Sequence, residues 1–225
     1  MIKNIVNLGD AAIYCDFGNE VNKITNSKVI QYFKTLKTKN VNGITNMSPS
    51  YNKLIITFDL NETNFDKLKE DLINLEFKDQ IANDSNKIEI PLCCDDEYSL
   101  DIQRLETKLK ITKNEILKVF LDKTYFCYMT GFVAGMPFLG DLEKTIMLDR
   151  LETPRVTVPK GSVGLTEQFC NVYTFESPGG WNIIGNTPIE IFNHKNPDQP
   201  NLISPGDEVT FYKINKKDFI KFYDK

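Results

Sequence analysis

Residues 153–188 read TPRVTVPKGSVGLTEQFCNVYTFESPGGWNIIGNTP. Strand-like runs such as Val156-Thr157-Val158 are cut every few residues by glycine or proline, which leaves no room for a regular helix. The same punctuation extends outward. Nine of 12 glycines and eight of 10 prolines lie at or after Gly131. Long helices are therefore expected in the first part of the chain, and short strands with shaped loops in the second.

Upstream, Thr112-x-x-Glu115 is a capping-box pattern ahead of Ile116, Leu117 and Phe120. Ser99 is expected to cap a helix carrying Ile102, Leu105 and Leu109. Lys87–Leu92 alternates through Ile88, Ile90 and Leu92, and the polar stretch Lys78–Lys87 reads as a linker. Before it, Val21–Lys37 places Ile24, Ile30, Phe33 and Leu36 near one helical face, and Asn64–Leu75 does the same with Phe65, Leu68, Leu72 and Leu75. Ala12–Phe17 reads as a strand, and Ile44–Pro49 with Lys53–Leu60 as a hairpin around Ser50-Tyr51-Asn52. The order strand, helix, hairpin, helix, strand suits a small α+β sandwich of ferredoxin-like type. Two domains are expected, residues 1–86 and 87–225.

With 225 residues, the chain is long enough to bury a core without disulfides or metal. Its 27 basic and 31 acidic residues give a charge of −4. That balance argues against nucleic acid and anionic membrane as partners. The single histidine, His194, sits in a polar loop, which disfavours Ser-His-Asp and Cys-His chemistry. Five cysteines with no C-x-x-C spacing fit neither a disulfide framework nor a zinc site, so buried reduced thiols, a cytoplasmic location and no metal are expected. The longest uncharged stretch, Thr124–Gly140, is too short and too broken to span a membrane.

Three segments could carry chemistry. Gly131–Gly140, with Phe132, Gly135 and Pro137, permits close backbone approach to a ligand or to another strand. Arg155, fixed between Pro154 and a strand, could clamp a carboxylate or phosphate, and Gly161-Ser162-Val163-Gly164 could aim N–H groups at an anion. Ser177-Pro178-Gly179-Gly180-Trp181 could face backbone donors toward a polarised carbonyl, with Trp181 as a wall. Each also reads as an ordinary tight turn. No P-loop and no strand-linked G-x-G-x-x-G is present, and no catalytic residue is assigned.

Together, Gly131–Gly140, Thr153–Gly164, Glu176–Trp181, Ile184–Pro188 and Pro205-Gly206-Asp207, with Leu8–Ala11 and Ile90–Cys93, resemble the allophanate hydrolase subunit 1 family. That family is associated with the B-type component of bacterial 5-oxoprolinase. It includes a sporulation histidine-kinase inhibitor and is similar to part of the carboxyltransferase region of urea carboxylase. The resemblance implies a ferredoxin-like N-terminal domain and a cyclophilin-like β-barrel C-terminal domain. It also implies a subunit 2-like partner (the C-type component of 5-oxoprolinase), a third oxoprolinase subunit, and ATP used by the complex to open 5-oxoproline to glutamate. A substrate site is expected from Arg150, Arg155, Ser162, Ser177, Gly179, Gly180 and Trp181.

The sequence departs from the family pattern at several points. Asp95-Asp96 replaces a Gly-Gly pair, Phe120 a histidine, and Met136 the phenylalanine of Pro-Gly-Phe-Pro. Asn46 stands for a glutamate and Phe169 for a glutamine, while Leu148-Asp149-Arg150 keeps only the arginine of Thr-Pro-Arg. The alternative to a catalytic subunit is a regulatory binding protein akin to the kinase inhibitor. A cyclophilin-like peptide binder or prolyl isomerase ranks last, because fold alone does not carry function.

Overall fold

The computed structural model describes residues 1–76 and 85–222, so stretch 78–84 of the expected linker lies outside the described residues. The chain divides into two units, Met1–Ser85 and Asn86–Lys225.

The first unit is a four-stranded antiparallel sheet with two helices. Strands β1 (Asn4–Asn7), β2 (Ala12–Asp16), β3 (Ile44–Pro49) and β4 (Lys53–Phe58) lie in the order β1-β2-β4-β3. Alternation along β4 turns Leu54, Ile56 and Phe58 inward. They meet Val29, Tyr32 and Leu36 of α1 (Lys23–Lys39) and Leu68 and Leu72 of α2 (Phe65–Ile73). Asn22 and Asn64 cap the two helices by accepting from the N–H groups of Thr25 and Lys67. Among the described residues no strand follows α2 within this unit, and β1 takes the fourth place in the sheet.

The face of α1 differs from expectation. Ile24 is 73% exposed, whereas Asn26 is buried. The Asn26 amide donates to the carbonyls of Ser50 and Tyr51 at 2.9 and 2.8 Å, tying the helix to the hairpin turn. Two satisfied backbone acceptors outweigh the burial of one isoleucine, so the stripe turns toward Val29, Tyr32 and Leu36.

The second unit is a closed seven-stranded barrel. Its strands are β5 (Lys87–Cys93), β6 (Tyr125–Thr130), β7 (Pro137–Gly140), β9 (Ser162–Thr166), β10 (Phe169–Val172), β12 (Asn182–Asn186) and β13 (Glu208–Ile214). They close in the order β10-β7-β6-β13-β5-β12-β9, which supports the cyclophilin-like expectation of an α+β chain with a barrel. The seal is β13 on β5, a parallel pairing from Glu208↔Lys87 to Ile214↔Cys93. Buried Asp207 anchors it by accepting from the N–H groups of Asn86 and Ser204.

Helices α3 (Ile102–Leu109) and α4 (Lys113–Leu121) pack Leu105, Ile116 and Phe120 into the barrel core, and α5 (Lys216–Lys221) follows β13. The capping box at Thr112 and Glu115 forms in full. Ser99 does not cap α3. Its hydroxyl donates to the Cys94 carbonyl at 2.7 Å, and Asp101 occupies the cap position instead. Outside the barrel, β8 (Arg155–Val158) and β11 (Ser177–Gly179) form a separate antiparallel ribbon. Among the described residues no helix is long and apolar enough to cross a membrane.

Candidate functional site

The ribbon roofs a cavity of about 420 Å³ on the barrel unit, lined by Phe132, Met136, Phe138, Arg150, Pro154, Asn171, Tyr173, Pro178, Gly179, Gly180 and Trp181. That volume lies in the usual range for small-molecule sites. The walls are apolar. Trp181 and Phe138 meet edge to face with centroids 5.5 Å apart. Phe132 is 72% exposed at the mouth, in a left-handed conformation (φ 69°) inside a tight turn closed by Val133 N–H on the Gly131 carbonyl. A bulky residue in that region carries about 1–3 kcal/mol of strain.

The polar groups are few. Asn171 and Tyr173 are almost wholly buried. Oδ1 of Asn171 has no hydrogen-bond partner, while its amide N lies 3.3 Å from the Met136 sulfur. The Tyr173 hydroxyl is faced by the Asn171 side chain and the Trp181 backbone N–H, and burial pushes its pKa up despite them. A Cβ on Gly179 would stand 2.2 Å from this hydroxyl, so only glycine lets the backbone pass it. A Cβ on Gly180 would stand 3.2 Å from the guanidinium of Arg150. Arg150 is exposed, and among the described residues no carboxylate pairs with it. The Gly180 carbonyl accepts from Leu151 N–H at 2.7 Å, which holds the bend beside the arginine.

Arg155 goes elsewhere. Its backbone pairs with Gly179, but its guanidinium forms a bidentate pair with Asp101 at 2.9 and 2.6 Å. Asp101, 5% exposed, also accepts from Ile183 N–H at 2.7 Å. Arg155 thus joins the ribbon to the start of α3 and to β12, and it does not line the cavity. Next to it, Arg104 donates to Asn182, whose amide donates to the carbonyls of Asp149 and Leu165.

The cavity brings together Phe132, Arg150, Gly179, Gly180 and Trp181 from the expected set. Ser177 is buried on β11, with its hydroxyl unpartnered. Gly135 faces the Phe192 ring, and Pro137 is buried in β7 opposite Thr130. Ser162 lines a separate hollow of about 360 Å³ with Glu97, Tyr98 and Lys160. Met136, Phe138, Asn171 and Tyr173 complete the cavity, although the sequence alone does not assign them to the site. Asn171 and Tyr173 fall in and just after a run, Phe169–Val172, that has the look of a plain core strand.

Among the described residues no group of three His, Cys, Asp or Glu side chains is placed to hold a metal. One arginine and an aromatic wall do not fit a nucleoside triphosphate, which calls for several cations or a ring of backbone N–H groups.

A barrel with this cavity defines a class, and comparison with known proteins places it. The chain belongs to the family of carboxyltransferase domains, subdomain C and D, whose model matches residues 3–203. It is 30% identical to the B-type component of 5-oxoprolinase from Bacillus subtilis, over 96% of this chain and 94% of that one. It is 40% identical to the corresponding 5-oxoprolinase component of Haemophilus influenzae, over 55% of this chain and 58% of that one. The crystal structure of TTHA0988 superposes with a TM-score of 0.80 at 26% identity, covering 91% of this chain but 40% of that protein.

Proposed function

We propose that this chain is one subunit of an ATP-dependent amide- or lactam-hydrolysing complex, most closely of 5-oxoprolinase type, and that its barrel cavity receives 5-oxoproline. The carrying observation is the pairing of apolar ring-sized walls with one guanidinium, Arg150, at the rim, which no carboxylate engages among the described residues. Such a site suits a small ring bearing a carboxylate. The relatives named as 5-oxoprolinase components support the same substrate class.

A five-membered lactam is a poor electrophile. Transfer of the terminal phosphoryl group of ATP to its carbonyl oxygen releases ADP and activates the carbon; water then adds there, the ring C–N bond breaks with a proton passing to the nitrogen, and phosphate leaves, giving glutamate. The phosphoryl donor is assigned to another chain of the complex, because this cavity does not fit a triphosphate. This chain's residues bind and orient. Arg150 holds the carboxylate, Trp181, Phe138 and Met136 hold the ring and exclude water, and the Gly179-Gly180 backbone fixes the arginine. Arg155 acts by keeping the ribbon in place. The partners are a subunit 2-like chain and a third oxoprolinase subunit, working in the cytoplasm. The N-terminal unit is assigned as a ferredoxin-like sandwich whose last edge is supplied by β1.

The test is co-purification with the cognate subunit 2-like and third chains, followed by an assay of ATP-dependent glutamate release from 5-oxoproline. Release by the complex, none by this chain alone, and a loss of about tenfold or more in Arg150→Gln are expected. An assembled complex that turns over no 5-oxoproline would overturn the proposal.

A further inference from the structure

Resting on the lactam reading of this cavity, we propose that the Tyr173 hydroxyl donates the hydrogen bond that recognises the guest's carbonyl oxygen, while Arg150 holds its carboxylate. Tyr173 lines the cavity although it is only 2% exposed. Its hydroxyl is locked beside the Gly179 backbone, where a Cβ would come within 2.2 Å. The neighbours that face its oxygen, the Asn171 side chain and the Trp181 N–H, act as donors. The proton of the hydroxyl is therefore the part left for an acceptor, and among the described residues none takes it. Burial keeps that proton on the oxygen.

The second polar group in the cavity, Asn171, holds an amide oxygen with no partner among the described residues although it is 1% exposed. A cavity meant for a purely apolar guest has no use for two incompletely satisfied polar groups, since each costs free energy when unpaired. A guanidinium beside Gly180 and an O–H beside Gly179 match a ring acid that carries a carbonyl as well as a carboxylate.

Calorimetric titration of the full chain with three probes isolates the carbonyl. The probes are 5-oxoproline, 3-oxocyclopentanecarboxylate, which keeps the carbonyl but lacks the ring N–H, and cyclopentanecarboxylate, which lacks both. The wild type is expected to prefer both carbonyl compounds by about tenfold. In Tyr173→Phe that preference should collapse while cyclopentanecarboxylate affinity stays unchanged. A merely structural tyrosine would weaken all three together and leave the preference intact, which overturns the assignment.

Where Tyr173→Phe fails to fold, isotope-edited infrared spectra of carbonyl-labelled 5-oxoproline on the wild type decide. A stretch lowered on binding supports the donor, and an unmoved stretch overturns it. ATP-dependent glutamate release with no carbonyl preference rejects Tyr173 alone. No saturable binding of any probe, by chain or complex, rejects the lactam reading and the tyrosine assignment together.

Discussion

Two arginines five positions apart meet opposite fates. Arg155 is locked on a buried carboxylate at the start of α3 that also accepts from β12, whereas Arg150 lies exposed against the Gly180 bend with no acidic partner among the described residues. The packed side of the barrel therefore commits its guanidinium to architecture, and the hollow side leaves one without a carboxylate partner among the described residues. Residue type and neighbourhood in sequence do not separate the two roles. The location of the nearest carboxylate does.

Substitutions can break this contrast. Arg155→Ala leaves the Asp101 charge buried with, among the described residues, only the Ile183 N–H as a partner, and should cost about 3–5 kcal/mol, read as a fall in the urea midpoint. Little loss would show that the pair is not structural.

The buried cores of the two units carry a second signature, Cys15 in the N-terminal unit and Cys94 in the barrel unit. Burial pushes Cys15 and Cys94 up to about 12 from an ordinary 9.0. The folded state keeps these protons while the unfolded chain loses them above about pH 9. Their contribution is thus whole below that pH and is lost as pH climbs toward 12, at up to ~1.4 kcal/mol per pH unit for each thiol. Denaturation titrations from pH 8 to 11 should show this decline. No cysteine lines the cavity, so ligand occupancy should leave the slope unchanged.

On the hollow side, Gly179→Ala presses a methyl onto the rigid Tyr173 ring and should cost about 1–3 kcal/mol, measured by the same denaturation. Gly180→Ala meets the flexible end of Arg150 and, at ordinary contact distance, Pro154, so it should cost under ~1 kcal/mol while still weakening 5-oxoproline binding. Smallest of all, Arg150→Gln should change stability by no more than about 0.5 kcal/mol, because the side chain is exposed and has no carboxylate partner among the described residues.

What the sequence made legible was local. The Thr112–Glu115 box reads directly because both partners sit within one turn. The strand-rich second half follows from its glycines and prolines, and the SPGGW bend carries its own signature. Contacts between distant positions were hidden. Asp101 lies 54 residues from Arg155 and 82 from Ile183, so nothing nearby reveals that Arg155 is already engaged. Ser99 reads as a cap because the carbonyl of Cys94 that claims it is set by the turn after β5. Ile24 fits a helical stripe, but the carbonyls that capture Asn26 come from a hairpin 24 residues on. Strand β1 is short and largely exposed, without the alternation that marks a half-buried strand. Tyr173 and Asn171 become site residues only because Gly164 and Gly179 bring neighbouring strands and the bend within reach of them.

Trp181 is the sole tryptophan and forms a wall of the cavity, so its fluorescence follows occupancy directly. Titration of the full chain with 5-oxoproline should give a saturable change in the wild type that is lost in Arg150→Gln at unaltered melting temperature. A wild type with no saturable change, or an Arg150→Gln protein that binds as tightly, would contradict the assignment of this hollow as the lactam site.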